Sequence, residues 1–134
     1  MKVLIVDDVD YIRKSLSKVL EESSFNCDTC ANGREAIEKL EIKSYDLIIT
    51  DIMMPDMDGF EFMDYIRDQS GGLSKIPVLA ISGGSKTIDS DLALKMINEK
   101  ADAILQKPFS KSDLMDAVVK LMGKSKMAAM TKSI

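Results

Sequence analysis

Four short apolar runs, at 3–6, 47–49, 78–81 and 103–105, each end in polar residues: Asp7 and Asp8, Asp51, Ser82, and Lys107 followed by Pro108. Runs this short, with no alternating polar face, suit strands buried on both sides, the condition of a parallel sheet covered by helices. In sheets of that kind functional groups gather beyond the carboxyl ends of the strands. The pattern therefore predicts that three carboxylates, a hydroxyl and an ammonium meet on one edge of the sheet.

Helix-period stripes lie between the runs. Ile12, Leu16, Val19 and Leu20 predict a helix from about residue 10 to 22. Ala36, Ile37 and Leu40 predict a second after Asn32-Gly33, Phe60, Met63 and Ile66 a third after Asp58-Gly59, and Ile88, Leu92, Met96 and Ile97 a fourth. Leu114, Ala117, Val118, Leu121 and Met122 predict the fifth, with Ser110 as N-cap and Asp113 in its first turn. Strand and helix thus alternate five times. Right-handed crossovers turn that order into an α/β, flavodoxin-like doubly wound sandwich with strand order 2-1-3-4-5. Residues 1–122 form one domain, and 123–134, small and polar with two methionines, read as a flexible C-terminal tail.

Composition narrows the function. The net charge is −4, and residues 111–134 hold five basic and two acidic groups while the body is acidic, so no basic stripe suggests nucleic acid. The chain enters a strand directly after Met1-Lys2 and has no apolar run of spanning length, which predicts a cytoplasmic protein without membrane insertion. Cys27 and Cys30 form a C-x-x-C, but on a strand their side chains point to opposite faces and cannot share a metal or a disulfide. Histidine is absent, which excludes His ligands and His general bases within the chain. Gly71-Gly72 and Gly83-Gly84 stand outside any nucleotide-binding pattern and read as turn residues.

The motifs Val3-Leu-Ile-Val-Asp-Asp8, Asp46-Leu-Ile-Ile-Thr-Asp-Ile-Met-Met-Pro-Asp-Met-Asp-Gly59, Pro77-Val-Leu-Ala-Ile-Ser82 and Ala101-Asp-Ala-Ile-Leu-Gln-Lys-Pro-Phe109 occur in order along the chain. Together they resemble the receiver domain of bacterial two-component response regulators, from Lys2 to Met122. The resemblance implies a phosphoacceptor at Asp51, Mg²⁺ held by Asp8, Asp51 and the main-chain carbonyl of Met53, with Asp7 acting through water. It implies that Lys107, before a cis Pro108, contacts the phosphoryl oxygens and that Ser82 donates its hydroxyl to them. The chemistry is consistent with this: like charges about 4 Å apart repel by roughly 4 kcal/mol at an effective dielectric near 20, so clustered carboxylates call for a cation. Asp56, Asp58 and Gly59 read as turn and helix-start residues.

By the same resemblance the donor is a histidine kinase or histidine phosphotransfer protein, which supplies the imidazole this chain lacks and docks beside the first helix. The downstream protein target is not legible, and the chain is expected as a monomer or a weak phosphorylation-dependent dimer. Only its own phosphorylation and autodephosphorylation are expected of it, not turnover of external substrates. A haloacid-dehalogenase type hydrolase would carry a second acid two residues after the nucleophile, where this chain has Met53. A phosphorylation-independent interaction module and a receiver cut from a larger regulator are the other readings. Two positions depart from or tune the pattern. Ile104 stands where many receivers have an aromatic, so switching is expected to run through the loop from Ser82 to Lys86. Met53 and Gly84 offer no hydrogen bond to an attacking water, so slow autodephosphorylation is expected.

Overall fold

The structure, a computed structural model, describes residues 1–52, 59–68, 75–83 and 99–132. Five strands form one sheet: β1 (Lys2–Val6), β2 (Asn26–Cys30), β3 (Leu47–Asp51), β4 (Val78–Gly83) and β5 (Ala103–Lys107). All neighbours are parallel and the order is β2-β1-β3-β4-β5, as the alternation predicts. The helices are α1 (Asp10–Glu22), α2 (Gly33–Ile42), α3 (Gly59–Asp68) and α4 (Lys111–Lys132). The predicted fourth helix lies outside the described residues except for Glu99 and Lys100, which are helical.

Period-two alternation in the strands divides the core. Val3, Ile5, Leu47, Ile49, Leu79 and Ile81 face Leu16 and Leu20 of α1 and Leu114, Val118, Leu121 and Met122 of α4. Leu4, Val6, Ile48, Val78 and Ala80 face Ala36 of α2 and Phe62, Met63 and Ile66 of α3. Both faces being covered explains why the strands read as unbroken apolar runs. The predicted stripe on α3 omits Phe62, which is fully buried; the apolar face of a core helix is wider than one stripe. The cysteines separate as the strand reading requires, Cys27 packing with the α1 side and Cys30 with the α2 side. Burial pushes their thiols up to about 11 and about 12, so both stay protonated near neutral pH.

Caps fix two helix starts. Asn32 Oδ1 accepts from Glu35 N at 3.0 Å, and Glu35 Oε2 accepts from Ala31 N at 2.6 Å. Ser110 Oγ accepts from Asp113 N at 3.0 Å and Asp113 Oδ2 accepts from Ser110 N at 3.1 Å, so the expected cap is reciprocal. At its other end α4 runs on to Lys132, and residues 123–132, expected as a tail, have helical backbone. Ala, Met and Lys favour the helix, and extending one already packed avoids the nucleation step.

Candidate functional site

The chain order reverses between β1 and β3, which lie side by side with Val6 in register with Thr50. The next residues, Asp7 and Asp51, therefore emerge together at the crevice where ligands bind in this architecture. The carboxylate oxygens of Asp7, Asp8 and Asp51 come within 4.8 Å of one another. From the far edge of the sheet Lys107 reaches in, its Nζ 3.7 Å from Asp7 Oδ2 and 3.7 Å from Asp51 Oδ2. The Lys107-Pro108 peptide is cis, as expected.

Each acid has its own surroundings. Asp7 is 1% exposed and Asp51 8%, while Asp8 is half-buried. Asp7 Oδ1 accepts from Val9 N at 2.8 Å, but Asp7 Oδ2 is buried without a hydrogen-bond partner. Burial raises the Asp7 carboxyl above its ordinary range; the Val9 hydrogen bond and then Lys107 pull the other way. A buried carboxylate oxygen without a donor, next to two further carboxylates, is the signature of a place for a hard cation. The donors are all oxygen, which suits Mg²⁺ and not a soft metal.

Ser82 is 4% exposed at the same sheet edge, in register with Gln106, and its neighbour Gly83 pairs with Lys107. No hydrogen bond joins Ser82 to the carboxylates among the described residues. Thus Asp7, Asp8, Asp51 and Lys107 converge, Ser82 flanks them, and Met53 lies outside the described residues, as do Asp56, Asp58, Gly84 and the loop to Lys86. Ile104 is partly buried against the α2 and α3 side of the core.

Two supporting roles escape the sequence reading, that of Arg13 and that of Gly59, which the sequence reads only as a turn or helix-start residue. Gly59 opens α3 against the end of β3: a Cβ there would lie 2.6 Å from Ile52 Cα and 2.7 Å from Asp51 O, and Gly59 N donates to Ile52 O at 2.7 Å. Arg13 of α1 donates to Asp7 O at 2.6 Å and to Asp10 Oδ1 at 2.9 Å. Beside Lys107 a groove of about 440 Å³ opens between α1 and α4, with a mostly apolar lining that includes Tyr11, Ile12, Leu16, Phe109 and Leu114.

Comparison with known proteins places these features. The family model described as "Response regulator receiver domain" matches residues 3–119. The chain is 35% identical over 124 residues to the transcriptional regulatory protein CpxR homolog of Haemophilus influenzae, covering 92% of this chain and 51% of that protein. It is 34% identical over 117 residues to the chemotaxis protein CheY of Halobacterium salinarum, covering 87% and 92%. The structure of Vibrio cholerae CheY4 superposes with a TM-score of 0.79 at 34% identity, covering 90% of this chain and 97% of that one. The chain thus spans about half the length of the longer regulators it matches and nearly all of a CheY.

Proposed function

The chain belongs to the response regulator receiver domain family, and we propose that it is a phosphorylatable switch of a two-component or phosphorelay system, taking a phosphoryl group from a partner's phosphohistidine onto Asp51. The observation that carries this reading is the convergence of Asp7, Asp8, Asp51 and Lys107 on one sheet edge, with a buried Asp7 oxygen left without a donor. Asp51 attacks phosphorus in line; a P–O bond forms, the P–N bond to the donor imidazole breaks, and its electron pair stays on that nitrogen, which takes a proton from solvent. Lys107 faces the phosphoryl oxygens as a point charge, and Ser82 donates its hydroxyl to them once the aspartyl phosphate exists. Asp8, Asp51 and the carbonyl of Met53 would hold Mg²⁺, with Asp7 acting through water. When bound, Mg²⁺ offsets the repulsion among the carboxylates and the charge of the phosphoryl oxygens.

The phosphodonor, a histidine kinase or histidine phosphotransfer protein, docks on the groove between α1 and α4. Its mostly apolar lining, which includes Tyr11, 71% exposed, and Lys107 of the site, supports that place. Residues 1–122 form the receiver domain, and residues 123–132 extend α4 beyond it. The only chemistry assigned to the chain is its own phosphorylation and autodephosphorylation. No helix among the described residues is long and apolar enough to cross a membrane, and the free, protonated thiols accord with a cytoplasmic setting. The acidic body leaves nucleic acid out of the proposed partners of these residues. A second reading, the receiver segment of a longer regulator, rests on the 51% coverage of the CpxR homolog; the full reading frame tests it.

Incubation with acetyl phosphate and Mg²⁺ tests the main reading. One phosphate should add to the native chain and none to Asp51→Asn, which keeps the shape and removes the nucleophile. Full labelling of the variant would overturn the assignment.

A further inference from the structure

Resting on the acidic cluster as a Mg²⁺ site, we propose that Arg13 is a positioning residue for it: its guanidinium grips the loop between β1 and α1 by the main chain and so sets where Asp7 and Asp8 stand. The loop is only Asp7, Asp8 and Val9. It leaves β1 where the sheet ladder ends, so the carbonyl of Asp7 needs a donor from elsewhere, and Arg13 supplies it at 2.6 Å. The other arm of the same fork binds Asp10 Oδ1 at 2.9 Å, tying the loop's first residue to the helix's first residue. Such a tie matters here because α1 lacks the usual side-chain cap at Val9. Asp8 takes no side-chain hydrogen bond from the described residues, so its place is inherited from a loop that others hold.

An ordinary surface ion pair would be the alternative, and it contributes little. The Arg13 side chain is 17% exposed while its Asp10 partner is 64% exposed, and its shorter bond is to the main chain. Removing Arg13 gives opposite outcomes for the two roles. As a mere charge felt by the Asp7 carboxylate, Arg13 opposes a cation, so its loss would tighten Mg²⁺ binding. As a positioning residue it supports the ligands, and supports of this kind change metal affinity by about 10–100-fold.

Mg²⁺ alone is titrated calorimetrically into the unphosphorylated full chain as wild type, Arg13→Ala, Arg13→Lys and Asp8→Asn. Wild-type binding and its loss in Asp8→Asn test the metal reading itself. Both Arg13 variants should bind about tenfold more weakly, Arg13→Lys included, since an ammonium keeps the charge but lacks the rigid fork whose two nitrogens hold the two acceptors separately. Tighter binding by Arg13→Ala, or unchanged binding by Arg13→Lys, would overturn the proposal; if Arg13→Ala fails to fold, Arg13→Lys decides. Amide exchange without metal decides even if the wild type binds no Mg²⁺. Val9 N–H, held by Asp7 Oδ1, should exchange about tenfold faster in Arg13→Lys while Ile48 in β3 stays unchanged. An unchanged Val9, or equal acceleration at both, would refute a local positioning role.

Discussion

Lys107 reaches Asp7 and Asp51 at the same 3.7 Å, so its ammonium and a metal ion compete to offset the same carboxylates. Two variants of the site should therefore part ways. Asp8→Ala removes a proposed direct ligand and should weaken Mg²⁺ binding by at least about tenfold. Lys107→Ala removes a competitor, so metal binding should hold or tighten while the response to phosphorylation is lost. Calorimetry with Mg²⁺ reads the first effect, and amide exchange with and without acetyl phosphate reads the second; equal loss of metal affinity in both would contradict separate roles. The residues in this comparison were legible in the sequence because each stands within two residues of the end of an apolar run, and position on a parallel strand is enough to predict convergence. Arg13 and Gly59 were not legible in the same way. What they act on is a main-chain atom, Asp7 O or Asp51 O, and no side-chain pattern advertises a main-chain partner. A clue for Arg13 exists all the same, in its i,i+3 spacing from Asp10 directly after the acidic pair.

Helix α3 begins in contact with β3, and that contact reverses the usual effect of a glycine substitution. At a helix position Ala is favoured over Gly by about 1 kcal/mol. At Gly59 the added Cβ would sit 2.6 Å from Ile52 Cα and 2.7 Å from Asp51 O, both backbone atoms that cannot turn aside. Gly59→Ala should therefore destabilise the fold by about 1–3 kcal/mol and slow labelling of Asp51 by acetyl phosphate. Urea unfolding and phosphorylation rates check the two halves, and a more stable variant would show that propensity outweighs the close approach. The exposed start of α2 offers the ordinary case: Asn32→Ala deletes a cap bond of 3.0 Å and should destabilise by about 1 kcal/mol without touching phosphorylation. Elements of this kind were mostly readable in advance, since period and capping residues act locally. The far end of α4 was not, because its helical backbone is inherited from the turns packed by Leu114, Val118 and Leu121 and not from its own weak patterning.

At the scale of the whole molecule the sheet's two covered faces hold the fold together, and the site lies beyond the carboxyl ends of the strands. Asp7 shows what this placement does to stability. Its carboxyl is 1% exposed, and burial is the foremost influence, raising its pKa above the ordinary 3.8. In the window between 3.8 and that raised value the folded chain binds more protons than the unfolded one, so this group's contribution favours folding as pH falls and is lost as pH rises through the folded pKa. Above that raised value the Asp7 carboxylate therefore opposes folding in the metal-free protein, and Oδ2, which accepts no hydrogen bond, marks the atom responsible. Asp7→Asn keeps the shape and removes the buried charge. It should stabilise the metal-free chain by about 1 kcal/mol at pH 7, raising Tm by roughly 3–5 °C, and flatten the dependence of stability on pH just above 3.8. Mg²⁺ should stabilise the wild type by mass action and the variant much less. Thermal unfolding from pH 4 to 8, with and without Mg²⁺, measures all three effects. A variant less stable than the wild type at pH 7 without metal would mean that the Lys107 contact outweighs the loss of hydration at Asp7, and that the site supports the fold instead of straining it.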